Sequence, residues 1–262
     1  MLELVLFDND GTLFPTDIRQ EKWFKHWAEK NNKPWPFNSF AEFLRFYNTE
    51  VSKSGGVQNF YDALGLPCNM KDRNHPVWPA YEKFNQENPS QPYPGVKETV
   101  QKIWELGALT QNADRNRRLR LGINTTNSWK SIYKDLIKAD MIQYFDGFIT
   151  EEVLRKYHGD GNGDVLKKPA KVSLALAMGL LDSEGETTLH VGDTLNDLKS
   201  SQKIMRLNPM KPETLIAVGA CYGYEGRSIL EQGVETPHGV VHFDYLIDKP
   251  EELIYIVQKH LL

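Results

Sequence analysis

Cysteine is scarce. The chain has two, Cys68 and Cys221, too few for a disulfide framework, so a reduced, cytoplasmic protein is the expected setting. Long hydrophobic runs are missing too. No stretch approaches the roughly 20 apolar residues needed to cross a membrane. The first apolar stretch is cut by Asp8 after a few residues, which argues against a signal peptide. Without secretion, the glycosylation sequon at Asn124-Thr125-Thr126 carries no weight. Charge of one sign does not dominate: 31 Lys and Arg face 35 Asp and Glu, for a net charge of −4. The densest basic stretch, Arg115 to Arg120, is narrower than a nucleic-acid footprint and reads as a solvated loop entering a strand. Neither nucleic acid nor membrane is an expected partner. No internal repeat is visible, and the oligomeric state leaves no trace. The stretch Gly159 to Asp164 lacks the distal glutamate of a calcium loop and reads as a turn.

What is present divides by composition. A hydrophobic content of 40% is enough for a real core. Residues 4–8 read as a buried strand. Residues 17–89 then turn aromatic and amide-rich. Trp23, Phe24 and Trp27 share one helical face, Phe40, Phe43, Leu44 and Tyr47 fit another, and Trp78, Tyr81 and Phe84 mark one more. This segment reads as a small helical insertion of four helices whose aromatics form its own core. Arg19, Lys22 and Arg45 are its candidate contacts to an anionic substrate; otherwise they are surface charges. From Val96 onward strands and helices alternate. Strands are expected at 119–123, 145–149, 188–193, 215–218 and 245–247, with helices at 96–106, 132–137, 172–180 and 251–262. That alternation implies an α/β fold: a Rossmann-like, mostly parallel sheet with helices on both faces. The domain reading is a core of residues 1–16 and 90–262, with a helical cap of residues 17–89 inserted into it.

Four features fall where strand ends of such a sheet converge. The first is Asp8-Asn9-Asp10-Gly11-Thr12, two acids closing an apolar strand. Taken alone it is also compatible with an ordinary Asp-Gly turn. Asn124-Thr125-Thr126-Asn127 offers hydroxyls and amides of the kind that bind phosphate oxygens, or else caps the following helix. Lys168 of Lys167-Lys168-Pro169 either projects a point charge into the crevice or is solvated. In Gly192-Asp193-Thr194-Leu195-Asn196-Asp197 a strand again ends in an acid, with a second acid in the first turn of the next helix.

In this order the four features resemble the motif set of the haloacid dehalogenase-like superfamily, over residues 1–16 and 90–262. Tyr93-Pro94-Gly95-Val96, Gly223 to Arg227 and Asp244 to Asp248 look like its phosphoglycolate phosphatase branch. The resemblance implies a magnesium-dependent phosphatase acting on a small phosphorylated substrate. Asp8 would be the nucleophile that forms an aspartyl-phosphate. Asp10 would protonate the leaving group and then deprotonate water. Magnesium would sit on the Asp8 carboxylate, the Asp10 backbone carbonyl and the Asp193 carboxylate. Thr125, with Thr126 as the alternative, and Lys168 would hold the phosphoryl oxygens. Asp197 would support the metal's waters or orient Lys168. An acid at position 10 marks phosphate-transferring members over dehalogenating ones. A cap between the first two motifs would select the substrate. Two other readings stay open: a phosphosugar mutase of the same fold, and a catalytically silent binding protein on this scaffold. The stretch 109–118 lengthens the link before the second motif, a departure from the family pattern.

Overall fold

The computed structural model describes residues 2–51, 56–72, 74–109, 119–159, 163–183, 188–205, 215–237 and 239–261. Most of the 109–118 link, the basic residues 115–118 and the centre of the 159–164 turn lie outside them. The chain divides into two compact units, Met1–Pro15 with Gln91–Leu262, and Thr16–Ser90.

The larger unit is built on strands β1 (Leu4–Phe7), β2 (Arg120–Asn124), β3 (Gly147–Ile149), β4 (Thr188–Gly192), β5 (Leu215–Ala220), β6 (Val234–Thr236), β7 (Gly239–Val241) and β8 (Tyr245–Ile247). Six of them form one sheet in the order β3-β2-β1-β4-β5-β8, with every pairing parallel. β6 and β7 form a separate antiparallel hairpin. β1 and β4 are buried along their whole length, which explains their continuous apolar runs.

Period-two alternation sorts β1 between two cores. Val5 and Phe7 pack in one layer with α5 (Val96–Leu109), α6 (Trp129–Lys138) and α11 (Glu252–Leu261), through Ile103, Leu136 and Val257. Leu4 and Leu6 face the other layer, with α7 (Glu151–His158), α8 (Val172–Leu180) and α9 (Leu195–Met205), through Leu154, Leu174 and Ile204. The short α10 (Gly226–Leu230) covers β5 with Leu230 against Ala217. Because side chains two apart share a face, Asp8 continues the Leu4–Leu6 side, toward α8 and α9. The strand order reverses between β1 and β4, the point where α/β sheets open a crevice at their carboxyl ends.

The smaller unit holds α1 (Thr16–Lys30), α2 (Phe40–Val51), α3 (Val57–Ala63) and α4 (Val77–Glu87). Trp23, Phe24, Phe43 and Phe60 are fully buried at its centre. Rings of Phe24 and Phe60 approach to 4.4 Å between centroids, and Trp23 donates its indole N–H to the Tyr61 hydroxyl at 2.8 Å. Arg19 is buried, whereas Lys22 and Arg45 are exposed. No helix among the described residues is long and apolar enough to cross a membrane.

Candidate active site

Register brings the sequence motifs to one edge of the sheet. Phe7 pairs with Ile123 on one side and Val191 on the other, so one residue further Asp8 stands between Asn124 and Gly192. The Asp8 N–H donates to the Val191 carbonyl at 2.9 Å, extending the β1–β4 ladder to the acid itself. The chain then turns at Gly11, whose φ is +80°. A Cβ there would lie 2.0 Å from Asp193 Oδ2, so both the left-handed turn and the neighbouring acid require glycine.

The acids converge. Ligand oxygens of Asp8, Asp193 and Asp197 lie within 4.8 Å of one another, and all three residues are buried. Lys168, its side chain 7% exposed, places Nζ 2.7 Å from Asp8 Oδ1 and 2.7 Å from Asp197 Oδ1. Asp8 Oδ1 also accepts the Asn9 N–H at 2.7 Å, and its Oδ2 takes no hydrogen bond from a described residue. Asp193 is held at both oxygens, by the Thr12 hydroxyl at 3.0 Å and the Tyr224 N–H at 2.9 Å. Asp197 Oδ2 accepts the Thr194 N–H at 3.1 Å and the Thr194 hydroxyl at 2.6 Å. The acid thus reaches back to the residue just before its own helix, as in a capping box.

Ionising all three buried carboxylates against one ammonium would leave two surplus negative charges, and the titration behaviour follows. Burial pushes Asp8 up to about 7 despite the pull of Lys168. Burial also raises Asp193 well above the usual carboxylate range, with the charges of Asp8 and Asp197 adding to it. Asp197 goes the other way: burial opposes its charge, but Lys168 holds it low. Burial likewise opposes the Lys168 charge, yet Asp197 and Asp8 raise its pKa above the ordinary lysine value. An all-oxygen donor set with surplus negative charge fits a hard divalent cation.

Asp10 is placed separately. It is half-buried, and its carboxylate accepts the Asn127 side-chain amide. Thr125 is buried, and its Oγ1 accepts the Asn127 N–H at 3.1 Å. Thr126 is half-buried. No hydrogen bond joins either threonine to the acid cluster among the described residues. Asn124 is fully buried, with neither amide atom partnered among the described residues.

Several participants escape the sequence reading. Thr12 and Thr194 lie inside the motifs, but their bonds to Asp193 and Asp197 are not legible from spacing. Asn127 meets an acid 117 positions away. His190 is buried beneath the cluster, with Nδ1 2.8 Å from the Ser201 hydroxyl and Nε2 3.9 Å from Asp197 Oδ1. Its place on β4, two residues before Gly192, is the one available clue.

A parallel sheet with acids and a lysine gathered at its switch point is the arrangement of an α/β enzyme's active-site crevice. The chain belongs to the haloacid dehalogenase-like hydrolases, whose family profile matches residues 2–204. It is 25% identical over 266 aligned positions to a protein named pyrophosphatase PpaX from Bacillus mycoides, covering 98% of each chain. Two solved structures share the fold. One is described as a predicted phosphoglycolate phosphatase from Haemophilus somnus, with TM-score 0.67, 19% identity and 98% of each chain covered. The other is the HAD-hydrolase YfnB from Bacillus subtilis, bound to magnesium, with TM-score 0.66, 17% identity and 98% of each chain covered.

Proposed function

We propose that this protein is a magnesium-dependent phosphatase that hydrolyses a small phosphorylated metabolite through an aspartyl-phosphate on Asp8. The observation that carries this reading is the tethering of Asp8. Lys168 and the Asn9 N–H occupy Oδ1 and leave Oδ2 as the oxygen with an unengaged lone pair.

Asp8 Oδ2 attacks phosphorus, and the bond from phosphorus to the leaving oxygen breaks. Asp10, held by Asn127, gives its proton to that oxygen. In the second half, Asp10 takes a proton from water, the water oxygen bonds to phosphorus, and the acyl-phosphate bond breaks to restore the Asp8 carboxylate. Lys168 offsets the charge on the phosphoryl oxygens throughout, and Asp197 orients Lys168. Positioned charge of this kind is the main catalytic lever in phosphoryl transfer. Thr125 is assigned to the phosphoryl oxygens because it directly follows β2, the strand paired with the one that leads to Asp8, with Thr126 as the alternative. The partnerless Asn124 amide, on the same side of the sheet as Asp8, supports a polar ligand there. Asp8 and Asp193 carboxylates, with the Asp10 backbone carbonyl, would hold the magnesium ion, which supplies charge neutralisation at the reacting phosphoryl group. The helical unit is assigned the role of a substrate-selecting cap.

One observation favours a second substrate, inorganic pyrophosphate: a relative matched over 98% of its length is named a pyrophosphatase. The same residues serve, with phosphate as the leaving group. The test is a panel of sugar phosphates, nucleotides, small phosphorylated acids, an aryl phosphate and pyrophosphate, assayed for phosphate release with and without magnesium. Magnesium-dependent release supports the reading, and the highest kcat/KM names the substrate class. Isomerised sugar phosphate without net phosphate release would mean a mutase. Silence across the panel would leave a binding protein and overturn the proposal.

A further inference from the structure

The segment after β5 contributes four successive residues to the two acid-bearing loops. The Tyr222 hydroxyl donates to the Thr12 carbonyl at 3.1 Å, and its ring meets Tyr93 edge-on with centroids 5.2 Å apart. A Cβ on Gly223 would fall 2.3 Å from Asp193 Cβ and 2.4 Å from the Gly11 carbonyl oxygen. Only a hydrogen fits there, and the backbone is pressed between both loops. The Tyr224 N–H holds Asp193 Oδ2 at 2.9 Å. Glu225, half-buried, accepts the Leu195 N–H on Oε2 at 2.6 Å, a bond that spans 30 positions. Leu195 is the first residue of α9 and lies midway between Asp193 and Asp197. A carboxylate on this N–H satisfies an orphan donor of the helix start and complements its dipole.

We propose that Glu225 is a positioning residue: by tying the Leu195 N–H it fixes the first turn of α9, and with it the Asp193 carboxylate and the Asp197–Lys168 pair. Tyr222, Gly223 and Tyr224 form the rest of this strap. The inference rests on the assignment of Asp193 as a cation ligand. It extends that assignment to a residue that touches neither the cation nor the substrate. Residues that orient a ligand carboxylate commonly cost 10–100-fold in metal affinity when removed.

The test measures magnesium binding directly by titration calorimetry, alongside kcat and KM for an aryl phosphate. Glu225→Ala is expected to weaken magnesium binding about tenfold and lower kcat, with KM nearly unchanged. Glu225→Gln, whose amide oxygen still accepts the bond, is expected to retain most of both. Leu195→Pro removes the same donor from the other side, at a first helical position where proline is accommodated. On that background Glu225→Ala should cost nothing further. Wild-type magnesium affinity in Glu225→Ala would overturn the proposal, as would equal losses in the Ala and Gln variants, or full additivity with Leu195→Pro. If Glu225→Ala fails to fold, Glu225→Gln and Leu195→Pro still decide: retained affinity in the first and weakened affinity in the second support it, and the reverse overturns it. Asp193→Asn is the control. If it leaves magnesium binding intact, the ligand assignment itself is wrong. If it abolishes binding while Glu225→Ala does not, only the positioning role falls.

Discussion

Asp8 and Asp10 are two positions apart in a strand-end motif, yet the structure gives them different neighbours. Asp8 is buried against a lysine, and Asp10 is half-buried against an amide. Their spacing is legible in the sequence because both acids interrupt an apolar run. The partners that separate them are not, because Asn127 and Lys168 arrive from distant segments that only the sheet order brings together. His190 is the sharpest case. Burial lowers it to about 4, so the folded protein keeps it neutral while the unfolded chain protonates it near pH 6.5. Between those values the unfolded state binds more protons, so this residue's contribution to stability is full above pH 6.5 and is lost as pH falls toward 4. The expected size is about 3 kcal/mol, because each pH interval of one between the two values is worth roughly 1.4 kcal/mol. Denaturant unfolding of wild type and His190→Asn at pH 7 and pH 4.5 checks it. The variant should lose about 2–3 kcal/mol less than wild type over that interval, and parallel profiles would contradict the assignment.

Elements are legible where burial imposes a period. The strands of the main sheet announce themselves because both faces are covered. The expected helix at 172–180 and strand at 245–247 are found at Val172–Leu180 and Tyr245–Ile247. Others shift at their ends: the helix expected at 96–106 runs on to Leu109, and the strand expected at 145–149 begins at Gly147. Helix α7 escapes the sequence reading, since it is only eight residues long, buries only Leu154 and has three apolar residues in all, Val153, Leu154 and Tyr157. Its end signals are present all the same: Thr150 before Glu151 and Glu152, basic residues in the last turn, and Gly159 with φ 85° closing it. The β6–β7 hairpin escapes it too, because its strands lie outside the main sheet and are mostly unburied. In the helical unit the aromatic spacings mark α1, α2 and α4, the expected fourth helix is the short α3, and the aromatics form the unit's core. Phe24 touches Phe43, Tyr47, Phe60 and Tyr61. Phe24→Ala should therefore destabilise this unit by about 3–5 kcal/mol. Tryptophan fluorescence reads the transition, since Trp23, Trp27, Trp35 and Trp78 all lie in the unit. A loss under about 1 kcal/mol would mean that the cluster is not the core.

At the scale of the whole molecule, the strand order does the assembling. β1 and β4 are neighbours although the acid-bearing loops that follow them are far apart in the chain: Thr12 and Asp193, which share a hydrogen bond, are separated by 181 positions. This adjacency puts Asp8 beside Asp193 and Asp197. The α/β class is legible from the alternation of strands and helices. The geometry of the site is not, because register and handed crossover connections are properties of the assembled sheet. Charge balance also belongs to this scale. Burial makes the acid cluster costly to ionise without a cation, so magnesium, which binds the ionised cluster of the folded protein, should raise the melting temperature of the wild-type protein, and Asp193→Asn should blunt that rise. The central claim concerns Asp8 alone. The most direct measurement is magnesium-dependent phosphate release from an aryl phosphate by Asp8→Asn, with circular dichroism to confirm the fold. Asp8 as nucleophile predicts that release is abolished in a folded protein, and undiminished turnover in that variant would contradict the assignment.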